Sequence, residues 1–386
     1  MPRSLSVRLG ALSAVAFVGV GVQAPFLPVW LEGRGLDATT IGLVVALPVC
    51  VRMLASTPLV ATTDRGVSPR TLLTLAHLAL GVAFVFLLGA PGAWAIALVV
   101  ALAALAQAPI VPATDLVLTD AVRENPGLDY GRLRVFGSLA FLASSVAMGY
   151  LLEIAPLDAV VWALVAAGLL GALVAATATP PLAVEREPPP AGARRPTLPA
   201  ALLLAIAGAA CVQASHAGVY AFGSIHWRAL GFPGSIVGWL WAIGVVTEVA
   251  LFVFAGRLVG RGSGLPLIAL GAGAAAVRFT GLALEPGPLA TFALQSLHGL
   301  SFGATHLGAM AVLTALAPPG ARGRAQGLFA AAQAVGMASA TVLGGIVYQH
   351  AGGLVFLAMV PLPLAGLACL ALARRVRLRG IVSGPR

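Results

Sequence analysis

The chain has 386 residues, of which 59% are apolar and only 9% are charged, and its mean hydropathy is +0.98. A soluble domain carries about 25% charged residues, so this composition excludes a water-facing surface and predicts a membrane protein. The formal net charge of +10 comes from 23 Arg and no Lys. Because these arginines lie in short clusters between apolar runs, we expect no nucleic-acid partner.

Twelve apolar runs are long enough to cross a membrane, since crossing about 30 Å of hydrocarbon takes about 20 helical residues. The runs are 9–31, 40–62, 71–89, 93–117, 135–155, 159–178, 199–226, 235–257, 264–284, 288–314, 325–349 and 353–373. Lipid offers the backbone no hydrogen-bond partner, so each run must be helical. The predicted fold class is therefore an all-α membrane protein with twelve transmembrane helices.

The ends and the middle of the chain suggest how these spans are arranged. Arg3 and Arg8 precede an apolar stretch as in a signal peptide, but the stretch continues to Leu31, so we expect a membrane span there. The connection 179–199 is rich in Pro and charge, as linkers are. We expect an N-terminal six-helix bundle at 1–178, a cytoplasmic linker at 179–199 and a C-terminal six-helix bundle at 200–386.

Arginines in the loops and at the termini are biased to one side of the membrane. With both termini inside, only Arg34 and Arg228 of these arginines fall outside. The positive-inside rule therefore predicts cytoplasmic termini. Each of the three cysteines lies alone in a separate apolar stretch, and neither a metal site nor a disulfide is expected from them.

Several ionisable side chains fall inside the predicted spans, where charge is costly and usually marks a substrate or proton pathway. They are Arg52, His77, Asp115, Arg134, His216, Glu248, Arg278, His298 and His306. The alternative is a set of neutralised pairs that only fix helix packing. Two acids, three arginines and several histidines in one membrane domain favour function. His77 is the exception, because its span has no other polar partner nearby, and a packing role is expected for it.

Two polar stripes and two proline-rich stretches indicate where a binding cavity lies. Span 7 places three polar residues at i, i+3 and i+7, namely Gln213, His216 and Tyr220. Span 10 places four polar residues at i, i+3, i+7 and i+8, namely His298, Ser301, Thr305 and His306. Pro109 and Pro112 interrupt span 4, and "PFLP" (25–28) is expected to do the same in span 1. Interrupted helices are tolerable only beside a cavity, so we expect a central cavity between the two halves.

At several of these residues the chain resembles a known family. Asp64, Arg65 and Arg70 in "TDRGVSPR" (63–70) resemble the loop motif between helices 2 and 3 of the major facilitator superfamily, which implies a role in conformational gating. Other segments resemble, in the same order, those of the oligosaccharide:proton symporters, the lactose permease group. These are "PATD" (112–115), "YGRLRVFGSLAF" (130–141), "GVVTEVALFVFAGRL" (244–258), "AVRFTGLA" (276–283) and "LQSLHGLSF" (294–302). The chain is similar, more closely still, to the bacterial 3-phenylpropionate permeases, in "LDYGRLRVFGS" (128–138) and "QASHAGVYAFGSIHW" (213–227).

The resemblance implies roles for individual residues. Asp115 and Arg134 take the places of the acid and the arginine that grip the sugar in lactose permeases, and Glu248 takes that of a second substrate-binding acid. Arg278 and His298 take the places of the coupling arginine and the coupling histidine. A twelve-helix fold with two six-helix halves is implied as well.

The chain also departs from the lactose permease pattern. Ser301 stands where that group carries the transported proton on a glutamate, and the aspartates of its span 7 are replaced by a region containing His216. The 3-phenylpropionate permeases share these departures, which favours a small organic acid over a disaccharide. An anion needs a cationic contact, and Arg134 or Arg278 offers bidentate geometry for a carboxylate.

We therefore expect secondary active uptake of a small organic substrate by proton symport and alternating access, with an aromatic carboxylate such as 3-phenylpropionate as the substrate. The residues expected to couple the proton are Glu248, Asp115, His298 and Arg278. The residues expected to contact the substrate are Asp115, Arg134, Gln213, His216, Tyr220, Glu248 and His306.

Other functions remain open at this stage. The alternatives are proton symport of a sugar, oligosaccharide or nucleoside, and a facilitator without proton coupling. An enzyme is not expected, because no HExxH and no paired His-Asp motif occurs. We expect no cofactor and no metal, and the proton gradient is the expected energy source. The expected partners are a small-molecule substrate, protons and the lipid bilayer, and a functional monomer in a bacterial inner membrane is expected.

Overall fold

The computed structural model describes residues 2–180, 196–255, 264–318 and 320–382, and within these ranges the secondary structure is helical throughout. The α-helices are α1 (Pro2–Gly33), α2 (Ala38–Val60), α3 (Pro69–Leu88), α4 (Gly92–Gln107), α5 (Ile110–Glu124), α6 (Tyr130–Ile154), α7 (Ala159–Ala178), α8 (Ala200–Ala214), α9 (Ser224–Ala229), α10 (Gly234–Ala255), α11 (Gly264–Leu282), α12 (Pro288–Ser296), α13 (Thr305–Leu316), α14 (Arg322–Ala351), α15 (Leu354–Met359) and α16 (Pro361–Val382). Two π-helical segments follow α8 and α12, at Val219–Gly223 and Gly299–Ala304.

The twelve predicted membrane spans are confirmed. In the described residues, twelve helical stretches are long and apolar enough to cross a membrane, from Ser4–Gly33 to Leu354–Val376. Four spans consist of more than one helix: α4 with α5, α8 with α9, α12 with α13, and α15 with α16. The predicted fold class, an all-α membrane protein with twelve transmembrane helices, is therefore correct.

Contacts within the chain define two compact units. Unit 1 comprises Met1–Pro188 with Ala221–Ala242, and unit 2 comprises Pro189–Tyr220 with Ile243–Arg386. In unit 1, α1 packs against α6 and α7, and α3 packs against α7. In unit 2, α8 packs against α14 and α16, and α11 packs against α13. The predicted bundles at 1–178 and 200–386 stay a prediction, and most of the predicted linker, 181–195, lies outside the described residues.

Glycine allows helices of unit 1 to approach each other closely. A Cβ on Gly168 of α7 would lie 2.6 Å from the Cα of Gly81 in α3. A Cβ on Gly238 of α10 would lie 2.6 Å from the carbonyl oxygen of Ser145 in α6, whose Oγ donates to the Gly238 carbonyl at 3.2 Å. Without a side chain the backbones can pack directly, which is how helices associate in lipid.

The two proline-rich stretches behave differently. Span 4 is interrupted as predicted, because α4 ends at Gln107 and α5 begins at Ile110. The expected interruption of span 1 is wrong, since Pro25 and Pro28 lie inside the continuous helix α1. Each proline removes only one backbone donor, and neighbouring helices in a membrane bundle can accommodate that loss without a break.

Candidate functional site

One pair of predicted residues forms an ion pair in unit 1. Arg134, in the first turns of α6, places its Nε 3.3 Å from Oδ1 of Asp115 on α5. The Tyr130 hydroxyl donates to the same oxygen at 3.1 Å. The Arg134 guanidinium carbon lies 4.1 Å from the centre of the Phe17 ring, a cation–π contact. The side chains of Arg134 and Asp115 remain 31% and 34% exposed, so a ligand can reach both.

The position of the Arg134 guanidinium depends on a glycine one turn along α6. A Cβ on Gly137 would lie 2.8 Å from Cδ2 of Phe17, 2.9 Å from Nη1 of Arg134 and 3.2 Å from Oγ of Ser13. A larger residue there would therefore displace the guanidinium from the ring. Asp115 meets the guanidinium at Nε, and the Tyr130 side chain also hydrogen-bonds to Arg134.

A chain of amides lies at the interruption of span 4, also in unit 1. Arg52 on α2 donates from Nη1 to Oε1 of Gln107 at 2.7 Å, and Nε2 of Gln107 donates to Oε1 of Gln23 at 3.0 Å. Ser56 on α2 donates to the carbonyl of Ala108 at 2.9 Å, which ties α2 to the interruption. Gln23 and Gln107 are not among the predicted site residues. The sequence signal that could identify them is an amide inside a span, with Gln107 just before a proline.

The other predicted residues gather in unit 2 around Arg278 of α11, which is 1% exposed. Its Nε and Nη2 donate to Oε1 of Gln295 at 3.2 and 2.6 Å. Its Nη1 donates to Nδ1 of His298 at 3.1 Å and to Oγ of Ser301 at 3.2 Å. The guanidinium is thus held by three uncharged groups from span 10. Gln295, like Gln107, is an amide that is not among the predicted residues.

Hydrogen-bond roles fix how the two buried histidines are protonated. Nδ1 of His216 lies 3.2 Å from two carbonyl oxygens, those of Val212 and Gln213. Carbonyl oxygens only accept, so this nitrogen carries the proton, and Nε2 then accepts from the Ser301 hydroxyl at 3.0 Å.

His298 adopts the opposite tautomer. Its Nδ1 accepts from Arg278, which has no acceptor, so the ring proton is on Nε2. That nitrogen faces Oε2 of Glu248 on α10, at 3.6 Å. Glu248 keeps 21% of its side chain exposed.

Aromatic rings surround this cluster. The His298 ring is stacked on Phe302, with centres 5.1 Å apart and planes 18° apart, and Phe302 is nearly parallel to His306 at 6.4 Å. The Tyr220 ring lies 6.4 Å from that of His298. Phe252 on α10 lies 6.4 Å from His306. Phe17 and Phe302, which contact the two charged clusters, are not among the predicted residues.

Each of the two predicted polar stripes overlaps a π-helical segment. In span 10 the segment Gly299–Ala304 is π-helical, and Thr305 is fully buried and donates to the Ser301 carbonyl at 2.8 Å. In span 7, Gln213 is buried and donates to the Phe302 carbonyl at 3.3 Å. That each stripe shares one helical face stays a prediction.

The charged turn after span 2 connects helices of unit 1. Asp64 and Arg65 are exposed in a short 3₁₀ turn, Thr63–Arg65, which ends at Gly66 with a φ of +95°. Arg70, at the start of α3, donates from Nε and Nη2 to the Thr179 carbonyl at 3.1 and 2.6 Å. Arg70 thus joins the start of α3 to the end of α7.

The predicted site residues therefore form two clusters. Asp115 and Arg134 meet in unit 1. The residues of unit 2 are Gln213, His216, Tyr220, Glu248, Arg278, His298 and His306. In the described ranges, no three His, Cys, Asp or Glu side chains are grouped in a way that could hold a metal ion. Each cluster instead offers a carboxylate, an arginine and aromatic rings.

A protein-family model and two known proteins match most of the chain. A family model described as "MFS_1 like family" matches residues 7–358. The "Probable 3-phenylpropionic acid transporter" of Escherichia coli (strain K12) is 32% identical over 356 residues, which cover 90% of this chain and 93% of that protein. The maltose permease of Geobacillus stearothermophilus is 28% identical over 378 residues, covering 94% of this chain and 93% of the permease.

Solved structures share the fold at lower sequence identity. A mutant of the nucleoside transporter NupG superposes with a TM-score of 0.84 at 15% identity, covering 96% of this chain and 99% of that chain. A bacterial homologue of the human lysosomal transporter Spinster superposes with a TM-score of 0.71 at 19% identity, covering 97% of each chain. These relatives and neighbours are transporters and not enzymes, and the chain belongs to the MFS_1-like family of major facilitator transporters.

Proposed function

We propose that the protein imports a small aromatic carboxylate, such as 3-phenylpropionate, together with protons by alternating access. The name of the Escherichia coli relative, at 32% identity over 90% of the chain, supports this substrate class. The observation that carries the proposal is the Arg134 guanidinium, which stacks on Phe17, meets Asp115 at Nε and stays 31% exposed. A carboxylate can bind across the two Nη groups, while an aromatic ring packs beside Phe17.

Proton coupling is assigned to the cluster in unit 2, with Asp115 as the second titrating acid. Glu248 faces the Nε2–H of His298, and Arg278 holds the other side of that ring. In this proposal Glu248 carries the proton in one conformation and releases it in the other, so that substrate and proton favour the same state. The runner-up within this class is a facilitator, in which the cluster is a static hydrogen-bond network.

A sugar or nucleoside substrate is the second candidate. It is supported by the maltose permease, 28% identical over 94% of the chain, and by the fold shared with NupG at a TM-score of 0.84. A neutral substrate would use Asp115 and Glu248 as hydrogen-bond acceptors, and Arg134 would stay paired with Asp115. Either candidate substrate is compatible with the proposed substrate contacts at Gln213, His216, Tyr220 and His306.

The remaining features of the proposal concern the protein in the cell. We assign it to a bacterial inner membrane with both termini in the cytoplasm, and the energy source is the proton gradient with no cofactor. Asp64, Arg65 and Arg70 gate the conformational cycle, and one chain is the functional unit. Cysteine-accessibility labelling tests the orientation, since an impermeant reagent applied from outside should not reach the linker at 179–199.

Counterflow into proteoliposomes tests the substrate class. Labelled 3-phenylpropionate, maltose and uridine are offered to vesicles preloaded with the same unlabelled compound. We expect counterflow of the aromatic acid, and an imposed inward proton gradient should drive its accumulation. Counterflow of maltose or uridine alone would select the second candidate, and counterflow of the acid without gradient-driven accumulation would select the facilitator.

A further inference from the structure

Arg52 is an arginine inside a membrane span, and no acid in the described residues balances its charge. It lies on α2, within the stretch Ala38–Arg65 that is long and apolar enough to cross the membrane. Across the described parts of the chain, its side chain makes one hydrogen bond, to the neutral amide of Gln107, and no ion pair. Arg134, by contrast, is paired with Asp115 in the same unit.

An unbalanced guanidinium at membrane depth is energetically costly, and such residues normally pair with an acid or lie where an anionic ligand reaches them. Arg278 in unit 2 satisfies its donors differently, with three hydrogen-bonding side chains around Nε, Nη1 and Nη2. Arg52 has such a partner on Nη1 only. Its Nε and Nη2 are the edge that fits a carboxylate in bidentate geometry.

The surroundings of Arg52 hold this guanidinium in one place. Gln107 is buried, and its amide orientation is fixed because Arg52 can only donate, so Oε1 faces Arg52 and Nε2 donates to Gln23. Ser56, one turn from Arg52, donates to the carbonyl of Ala108 and so ties α2 to the interruption between α4 and α5. The amides of Gln107 and Gln23 hold the Arg52 guanidinium in one orientation, but they do not neutralise its charge.

We propose that Arg52 is a second anion-binding residue of the transporter, which takes the carboxylate of an organic acid across Nε and Nη2 while Gln107 holds Nη1. This proposal rests on the proposed transport of an organic acid and adds a contact to the one at Arg134. The ligand class is a monoanionic organic carboxylate. Arg52 adds a positive charge for that anion, whereas the charge of Arg134 is shared with Asp115.

The test compares 3-phenylpropionate with its neutral amide, 3-phenylpropanamide, in calorimetric titrations of the purified full-length protein. Arg52→Gln should weaken binding of the carboxylate by about 10- to 150-fold, the loss of a charged hydrogen-bond pair. Binding of the amide should change by less than about twofold. Arg52→Lys keeps the charge and loses the planar fork, so its affinity for the carboxylate should lie between those of wild type and Arg52→Gln. Arg123→Gln, with a side chain 82% exposed, is the matched control and should match wild type.

A second variant tests the same idea without removing the arginine. Gln107→Glu places a carboxylate at the position that already accepts from Nη1 at 2.7 Å. This internal acid should pair with Arg52, raise the melting temperature of the empty protein and abolish binding of 3-phenylpropionate but not of the amide.

Wild-type affinity for the carboxylate in Arg52→Gln, or in Gln107→Glu, would overturn the proposal for Arg52 and leave the proposed function in place. If the wild-type protein binds no aromatic carboxylate at all, the proposed function itself is wrong, and the proposal for Arg52 falls with it. The two failures are therefore distinguishable by the wild-type titration alone.

Discussion

Arg278 donates to Nδ1 of His298 at 3.1 Å, and this contact decides which ring nitrogen of His298 carries the proton that faces Glu248. Because the guanidinium only donates, Nδ1 must be the acceptor, and the ring presents Nε2–H to the carboxylate. If Nδ1 were protonated, it would be a donor that faces another donor, Nη1 of Arg278. Arg278 must therefore move before His298 can become charged.

This relationship predicts opposite tautomers for two histidines that lie 5.5 Å apart, centre to centre. Nitrogen-15 NMR of histidine-labelled protein should report an Nδ1–H tautomer for His216 and an Nε2–H tautomer for His298, with His216→Gln and His298→Gln used to assign the signals. In Ser301→Ala the His216 signal should shift most, since its Nε2 loses the hydroxyl that it accepts from. The same tautomer at both rings would contradict the hydrogen-bond network.

Glu248 should be required for uphill transport and less so for exchange. In Glu248→Gln the group that binds and releases the proton is lost, so gradient-driven accumulation of substrate in proteoliposomes should fall to the equilibrium level. Counterflow, which needs no net proton movement, should continue at a reduced rate. Glu285→Gln, in an exposed loop, is the control and should accumulate substrate normally. Normal accumulation in Glu248→Gln would show that the proton is carried elsewhere.

Arg134 and Asp115 separate an acid substrate from a neutral one. For an organic acid, Arg134→Lys should lose about 1–3 kcal/mol of binding, roughly 5- to 150-fold in affinity, because the fork is lost while the charge remains. Asp115→Asn should bind the acid as well as wild type or more tightly, since a competing carboxylate is removed. Binding titrations of both variants provide the measurement. If Asp115→Asn eliminates binding and Arg134→Lys has little effect, the substrate is neutral.

Gly238 should not tolerate a side chain. Its missing Cβ would lie 2.6 Å from the Ser145 carbonyl of α6, so Gly238→Val should force the helices apart and cost about 1–3 kcal/mol, as overpacking does. A lower melting temperature of the purified protein should reveal this. Gly273→Ala on α11 has open space around it and should melt like wild type. Equal melting temperatures for all three proteins would show that α6 and α10 do not pack this closely.

The fold could be predicted because its signal is summed over long stretches. Each span holds about 20 apolar residues, so an error in one residue leaves the span intact, and all twelve were confirmed. The ionisable residues could be selected for the same reason, since charge inside such a stretch is rare. The partners of these residues could not be predicted. Gln107 and Gln295 are ordinary amides in sequence, and only the folded chain brings them to Arg52 and Arg278.

The helical phase beyond a π turn could not be predicted either. The i, i+3 and i+7 spacing in span 10 assumes 3.6 residues per turn throughout, and Gly299–Ala304 departs from that. The Thr305 hydroxyl donates to the Ser301 carbonyl across this segment. A similar departure at Val219–Gly223 follows His216 in span 7.

The π segment at Gly299–Ala304 also has a consequence for how relatives diverge. Deleting a residue from an ordinary helix rotates every residue beyond it by about 100°, which would disrupt side-chain packing in a helix bundle. A helix with a π turn already contains the extra residue, so losing one there restores regular winding and keeps both flanking turns anchored. Relatives with a shorter span 10 should carry their gap between 299 and 304, and the residues that align with Thr305 and His306 should then keep the facing that they have here.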